Sequence, residues 1–142
     1  YFGNYVGKFN ILRSLASLAY DGRRSNFFFG ELKKALWIID NNHVEIDNFK
    51  GSWAGAFGQT QFMPSTFANY AIDFNSDNKI DLFQKNDALA SAANYLKKSG
   101  WINNLTWGEK VSLKLTKDLR QLFEKKSYKN INFWESSQLL SW

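Results

Sequence analysis

Along the chain, stretches of helical periodicity alternate with two stretches that have none. Leu12, Leu15, Leu18 and Ala19, with Ile11 beside them, fall on one face of a helix, and Asn10 is placed to cap it. This helix is predicted to end near Asp21 and Gly22. Ser25 or Asn26 caps a second helix, in which Phe28, Leu32, Leu36 and Ile39 face inward while Glu31, Lys33 and Lys34 face outward. Its stop is predicted near Asn41, Asn42 or His43. Pro64, the single proline, opens a short helix over about Ser65–Ala71. Leu89, Ala92, Ala93 and Leu96 mark another from about Asp87 to Lys98, closed by Gly100 in the position where a left-handed cap is favoured. Farther on, Val111, Leu113 and Leu115 alternate with polar residues as in a short strand, and Leu119, Leu122 and Phe123 predict one more helix. The fold class is mainly α with a little β.

Composition bounds what such a fold can do. The 142 residues are one domain's worth, and no repeat or Pro/Gly/Ser linker divides them. Apolar residues at 44% and charged residues at 22% exclude a disordered or low-complexity chain. The longest clean apolar run, Ala35 to Ile39, is far short of the roughly 20 residues a bilayer span needs. The absence of cysteine removes disulfides, thiolate zinc sites and cysteine nucleophiles, and the single histidine, His43, weakens any triad. Aromatics are 18% of residues and the net charge is +5, a combination suited to a polymeric, anionic or sugar-like partner as well as to a small Phe-filled core with a basic surface. Tyr1 in place of methionine reads as a trimmed start, and the end at Trp142 as a second cut.

The first stretch without a period is DFNSDNKIDLFQKND, residues 73–87. Asp73, Asn75 and Asp77 alternate as in the opening of an EF-hand calcium loop, where a tight turn brings alternate side-chain oxygens onto one ion. Lys79 would then contribute its backbone carbonyl at position 7. Asn78 stands where the pattern has glycine and Gln84 where it has glutamate, so Asp87 is the acid placed to close the site. Three carboxylates, Asp73, Asp77 and Asp87, give a charge of about −3 and an expected Kd on the order of 10⁻⁴–10⁻³ M. An Asx-rich turn joining two helices accounts for the same residues.

The second such stretch is GSWAGAFGQTQFMP, residues 51–64, which is neither a dinucleotide fingerprint nor a P-loop. Its small residues permit close approach of a ligand or of another element. Ser52, Gln59 and Gln61 offer neutral hydrogen-bonding groups, and Trp53, Phe57 and Phe62 offer flat apolar faces, which together suit a sugar. Arg23 and Arg24, at a corner between helices and close to Phe27 and Phe28, either cap carbonyls or bind carboxylates.

GKFNILRSLASLAYDGRRSNFF, GSWAGAFGQTQFMPS, DFNSDNKIDL, DALASAANYL and the pair Gly100–Trp101 resemble, in order and in register, the lytic murein transglycosylase B family, glycoside hydrolase family 103. The resemblance runs from Tyr1 to about Trp107 and is loose after about residue 115. It implies a lysozyme-like helical domain, residues 1–142 being part of it, with an inserted EF-hand-like loop at about 73–87. It also implies cleavage of the β-1,4 bond between N-acetylmuramic acid and N-acetylglucosamine in peptidoglycan, with the sugar's own C6 hydroxyl closing a 1,6-anhydro ring. Such chemistry needs one glutamate, acid then base, in an apolar pocket. The family carries it in a Glu-Ser/Thr-x-aromatic-Gly motif whose last two positions match Phe2 and Gly3, so the glutamate is expected two residues before Tyr1 and the chain alone is expected to be inactive.

No catalytic role is carried onto Glu31, Glu45, Glu109, Glu124 or Glu135, none of which lies in that motif. The resemblance makes Ser52 and Gln61 substrate-binding, with Phe62 beside them, and makes Arg23, Arg24 and Phe27 the group that meets the stem peptide. It makes Asp73, Asn75, Asp77, Lys79 and Asp87 a structural calcium site, and implies no organic cofactor. Partners are the glycan strand and stem peptide; the chain is expected to be a monomer, periplasmic, either free or anchored to the outer membrane in its parent. A noncatalytic, calcium-stabilised glycan-binding module is the alternative. Nucleic-acid binding, which the charge permits, has no helix-turn-helix or zinc motif behind it.

Overall fold

The computed structural model describes residue 3 and residues 5–104, 112–113 and 140–141. The chain divides into two compact units, Tyr1–Ile102 and Asn103–Trp142.

In the first unit, Asn10 both ends strand β1 (Phe9–Asn10) and caps helix α1 (Ile11–Tyr20), its Oδ1 accepting the Arg13 N–H at 2.9 Å. α1 buries Ile11 and Leu15, the face its periodicity predicts. Helix α2 (Ser25–Asp40) does not use the predicted side-chain cap. It starts from Arg24 in a left-handed conformation (φ 59°), and Ser25 Oγ instead donates to the Ala19 carbonyl, tying the end of α1 to the start of α2. The buried face of α2 is also turned from the expected one. Glu31, Ala35 and Ile38 point inward, Phe28, Leu32 and Ile39 flank them, and Leu36 is 50% exposed.

A short 3₁₀ turn (Ile46–Asn48) leads into strand β2 (Lys50–Gly51), which pairs antiparallel with β1, Phe9 opposite Gly51 and Asn10 opposite Lys50. Single bridges then connect Gly51 to Phe57 and Phe57 to Phe62. Pairings this short leave no periodicity, which is why residues 51–64 read as irregular. Phe57 lies at the centre of the core, its ring 4.8 Å from Phe49 and 5.6 Å from Phe67. Helix α3 (Pro64–Tyr70) begins at the proline, one residue earlier than predicted.

Helix α4 (Lys85–Lys98) reverses its expected face. Leu89 is 66% exposed and Leu96 is also exposed, whereas Asp87, Ser91 and Asn94, at spacings of four and three, turn inward to hydrogen-bond the preceding chain. Ser91 Oγ accepts from Ile72 N–H, Asn94 Nδ2 donates to the Tyr70 carbonyl, and Asp87 accepts from Phe74 and Asp81 N–H. Gly100 then closes α4 with φ 92°.

Of the second unit, strands β3 (Ser112–Leu113) and β4 (Leu140–Ser141) are described, antiparallel, with Ser112 opposite Ser141. β3 falls within the stretch where a strand is predicted; the helix expected at Leu119, Leu122 and Phe123 lies outside the described residues.

Candidate functional site

Residues 51–64 are held in place from both sides. A side chain at Gly55 (φ 98°) would run into Leu15 of α1, and one at Gly58 (φ 71°) into Leu82, so the loop fits only because those positions are bare. Gln59 closes the far side, its N–H donating to the Leu82 carbonyl at 2.8 Å and its Nε2 to that of Phe83 at 2.7 Å.

The loop presents two polar groups whose free valences differ. Ser52 Oγ accepts the Ala56 N–H at 3.0 Å, which leaves its hydroxyl proton to donate. Gln61, in a left-handed conformation (φ 52°), donates through Nε2 to the carbonyls of Val6 at 3.1 Å and Gly58 at 2.9 Å. Both of its amide hydrogens are thus committed, and Oε1 remains as an acceptor. A donor and an acceptor on one rigid loop suit neutral hydroxyl or amide groups of a ligand.

Trp53, 64% exposed, projects from the same loop and lines an open pocket of about 270 Å³ with Leu18, Asp21, Arg23, Arg24 and Phe28. The arginine pair and the glycine-rich loop, far apart in sequence, therefore meet at this indole. Phe27 is not part of the lining; its ring lies under the Arg24 guanidinium at 4.3 Å and helps to fix it. Phe62 does not offer an open face. It is 8% exposed and packs against Tyr95, so it supports the loop from beneath. The sequence offers Trp53 only as one of three aromatic faces suited to a sugar; its meeting with Arg23 depends on how α1 and the loop are folded together.

Glu31, expected on the polar side of α2, is 4% exposed. Its carboxylate accepts from Ser65 N–H at 2.8 Å and Ser65 Oγ at 2.6 Å, which commits it to the first turn of α3. Glu45, by contrast, is exposed in the 43–49 connection.

The acidic loop folds around its own carboxylates. Asp73 accepts from the N–H groups of Ser76, Asp77 and Asn78, and Asp77 Oδ1 accepts from Lys79 N–H at 2.8 Å. Asn78 takes the left-handed conformation (φ 67°) that glycine supplies in the standard pattern. The side-chain groups of Asp73, Asn75 and Asp77 that could ligate an ion are oxygens, the chemistry a hard divalent cation requires. Among the described residues no three His, Asp or Glu side chains form a metal centre by themselves, so Asn75 and the Lys79 carbonyl are needed to complete one. Asp87, 2% exposed, sits behind the loop and holds the backbone of Phe74 and Asp81.

His43 ties the 43–49 connection to this loop. Its Nδ1 accepts the Ile80 N–H at 3.2 Å, and its ring lies between Trp37 and Phe67. Burial, and then the nearby Lys79 charge, lower its pKa from the usual 6.5, against the opposing pull of Asp73.

Comparison with known proteins gives consistent results. Residues 1–141 match the family described as Transglycosylase SLT domain. Membrane-bound lytic murein transglycosylase B of Escherichia coli (strain K12) is 44% identical over 101 residues, 70% of this chain and 28% of the relative. The chain thus spans less than a third of that protein's length. Among solved structures, SltB3 from Pseudomonas aeruginosa in complex with NAG-NAM-pentapeptide is 46% identical, with a TM-score of 0.78 over 95% of this chain and 36% of that one. Escherichia coli Slt35 in complex with calcium is 41% identical, with a TM-score of 0.69 over 79% of this chain and 35% of that one.

Proposed function

The chain belongs to the transglycosylase SLT domain family, and on that premise we propose that its protein is a peptidoglycan lytic transglycosylase, with this chain forming the glycan- and peptide-binding part of the cleft. The observation that carries the reading is the meeting at Trp53 of the Ser52–Gln61 loop and the Arg23–Arg24 pair. The neutral loop suits sugar hydroxyls and acetamides, and the cations suit peptide carboxylates, so one site matches both parts of a glycopeptide. Ser52 donates to the glycan, Gln61 Oε1 accepts from it, and Arg24, braced on Phe27, holds the peptide.

Cleavage requires an acid to protonate the glycosidic oxygen and then, as a base, to take the proton of the C6 hydroxyl as the anhydro ring closes. Of the described glutamates, Glu31 is committed to Ser65 and Glu45 stands exposed outside the loop, so neither is assigned that part. We assign it to the glutamate of the family motif, two residues before Tyr1. Support comes from the entry of the N-terminal segment. Gly3 lies against the Gln59 side chain and Val6 is bonded to Gln61, so residues next to Tyr1 in sequence are close to this loop.

Asp73, Asn75, Asp77 and the Lys79 carbonyl, with Asp87 behind them, would hold a structural calcium ion whose chemistry is to neutralise the loop's carboxylates. No helix among the described residues is long and apolar enough to cross a membrane. A periplasmic location, at the peptidoglycan, follows from the proposed substrate.

The test is digestion of purified peptidoglycan by the full-length protein. Mass spectrometry is expected to show anhydro-muropeptides; products heavier by one water would mean hydrolysis, and an undigested polymer that still retains the protein would favour the noncatalytic binding module. Gln61→Ala is expected to slow release about tenfold through loss of one hydrogen bond to substrate.

A further inference from the structure

Trp53 and Leu18, which line the arginine pocket, also line a second and larger open pocket of about 540 Å³. Its other walls include Lys8, Asn10, Arg13, Ser14 and Ser17. The two pockets therefore adjoin at Leu18 and Trp53, beside α1, and we treat them as the two halves of one groove. The second half contains two exposed cations, three neutral hydrogen-bonding side chains and no carboxylate. A neutral sugar gives Lys8 and Arg13 nothing to pair with.

We propose that the Lys8–Arg13 half of the groove binds a second carboxylate, the C-terminal one, of an extended stem peptide whose first carboxylate lies at Arg23 and Arg24. The proposal rests on the glycopeptide reading above and extends it to the far end of the ligand. Length is in its favour. The ten residues of α1 span about 15 Å at 1.5 Å per residue, which an extended peptide covers in four or five residues at about 3.3 Å each. Chemistry is too: Arg13 offers a fork of donors to a carboxylate and Lys8 a mobile point charge. Midway, Trp53 gives the uncharged residues of the peptide an apolar face.

Calorimetric titration of the full-length protein with a disaccharide-pentapeptide and with the same ligand amidated at its C-terminus tests this. The unmodified protein is expected to bind the acid roughly tenfold more tightly than the amide, as for one charge-assisted pair. The double variant Lys8→Gln/Arg13→Gln is expected to bind both ligands as weakly as the unmodified protein binds the amide. Both positions are exposed, so its thermal melt is expected to be unchanged. Arg23→Gln/Arg24→Gln is expected to weaken both ligands and keep the preference for the acid. Equal affinity for acid and amide in the unmodified protein, or a preference for the acid that survives Lys8→Gln/Arg13→Gln, overturns this proposal alone. Failure to bind either ligand overturns it together with the glycopeptide reading.

Discussion

The glycine-rich segment 51–64 and the acidic segment 73–87 are of similar length, and neither has a repeating pattern. The first is shaped from outside. Phe57 is fully buried between Phe49 and Phe67, and bare glycines let Leu15 and Leu82 close in on the backbone. The second is shaped by its own charges, with Asp73 and Asp77 gathering backbone N–H groups in solvent and Asp87 gathering two more from behind. Packing at close contact makes a fixed surface, which suits a loop that must present Ser52 and Gln61 at set positions. A loop ordered by carboxylates responds instead to whatever charge comes near it. The difference teaches that irregular sequence carries no single structural meaning; what decides is whether steric fit or electrostatics supplies the order.

The largest expected effect comes from striking the packed loop at its centre. Phe57→Ala is expected to cost about 3–5 kcal/mol, seen as a large fall in the melting midpoint, with or without calcium. A cost under about 1 kcal/mol would mean that this loop is not held by the core. In the acidic loop, Asp87→Asn keeps one acceptor but turns an NH₂ group toward one of the N–H groups of Phe74 and Asp81. It is expected to cost about 1.5–3 kcal/mol by denaturant melt. Calcium should act on the acidic loop only. With a Kd near 1 mM, 10 mM calcium is expected to stabilise the chain by about 1.4 kcal/mol, a gain that Asp73→Asn removes and Phe57→Ala leaves. An unchanged midpoint in calcium would count against the ion site while leaving the hydrogen-bonded loop intact.

The smallest effect is that of pH. His43 has a pKa below its usual 6.5, so its neutral form is the one that fits the fold. The contribution to stability is present in full above that unfolded value and is lost as pH falls through the lower, folded one. Melting midpoints measured across that window should fall with pH, and His43→Gln should flatten the curve. A midpoint that rises toward acid would reverse the sign and with it the account of burial given for this residue.

The helical periods and the cap at Asn10 were legible because both are local. α1 buries the residues its spacing selects, and α2, α3 and α4 start and stop within about two residues of their signals. The faces of α2 and α4 were not legible. Glu31 is buried because Ser65, distant in sequence, supplies its donors, and Asp87, Ser91 and Asn94 turn inward because the 70–81 backbone needs them. A pattern that counts apolar residues assigns such positions to solvent, and so places Leu36, Leu89 and Leu96 on the wrong side. Of the site, Ser52, Gln61 and the arginine pair were legible as residues. The meeting of the arginine pair with Trp53 of the glycine-rich loop was not, because it exists only after α1 and that loop have packed.

The clasp between Glu31 and Ser65 bears on the order in which the molecule can assemble. α3 has seven residues, too few to persist alone in water, and Met63 at its head supplies no side-chain cap. The missing acceptor arrives from α2, so α3 gains its first turn only once α2 is in place. Synthesis runs the same way: α2 leaves the ribosome first, and its carboxylate is there to receive the segment that follows.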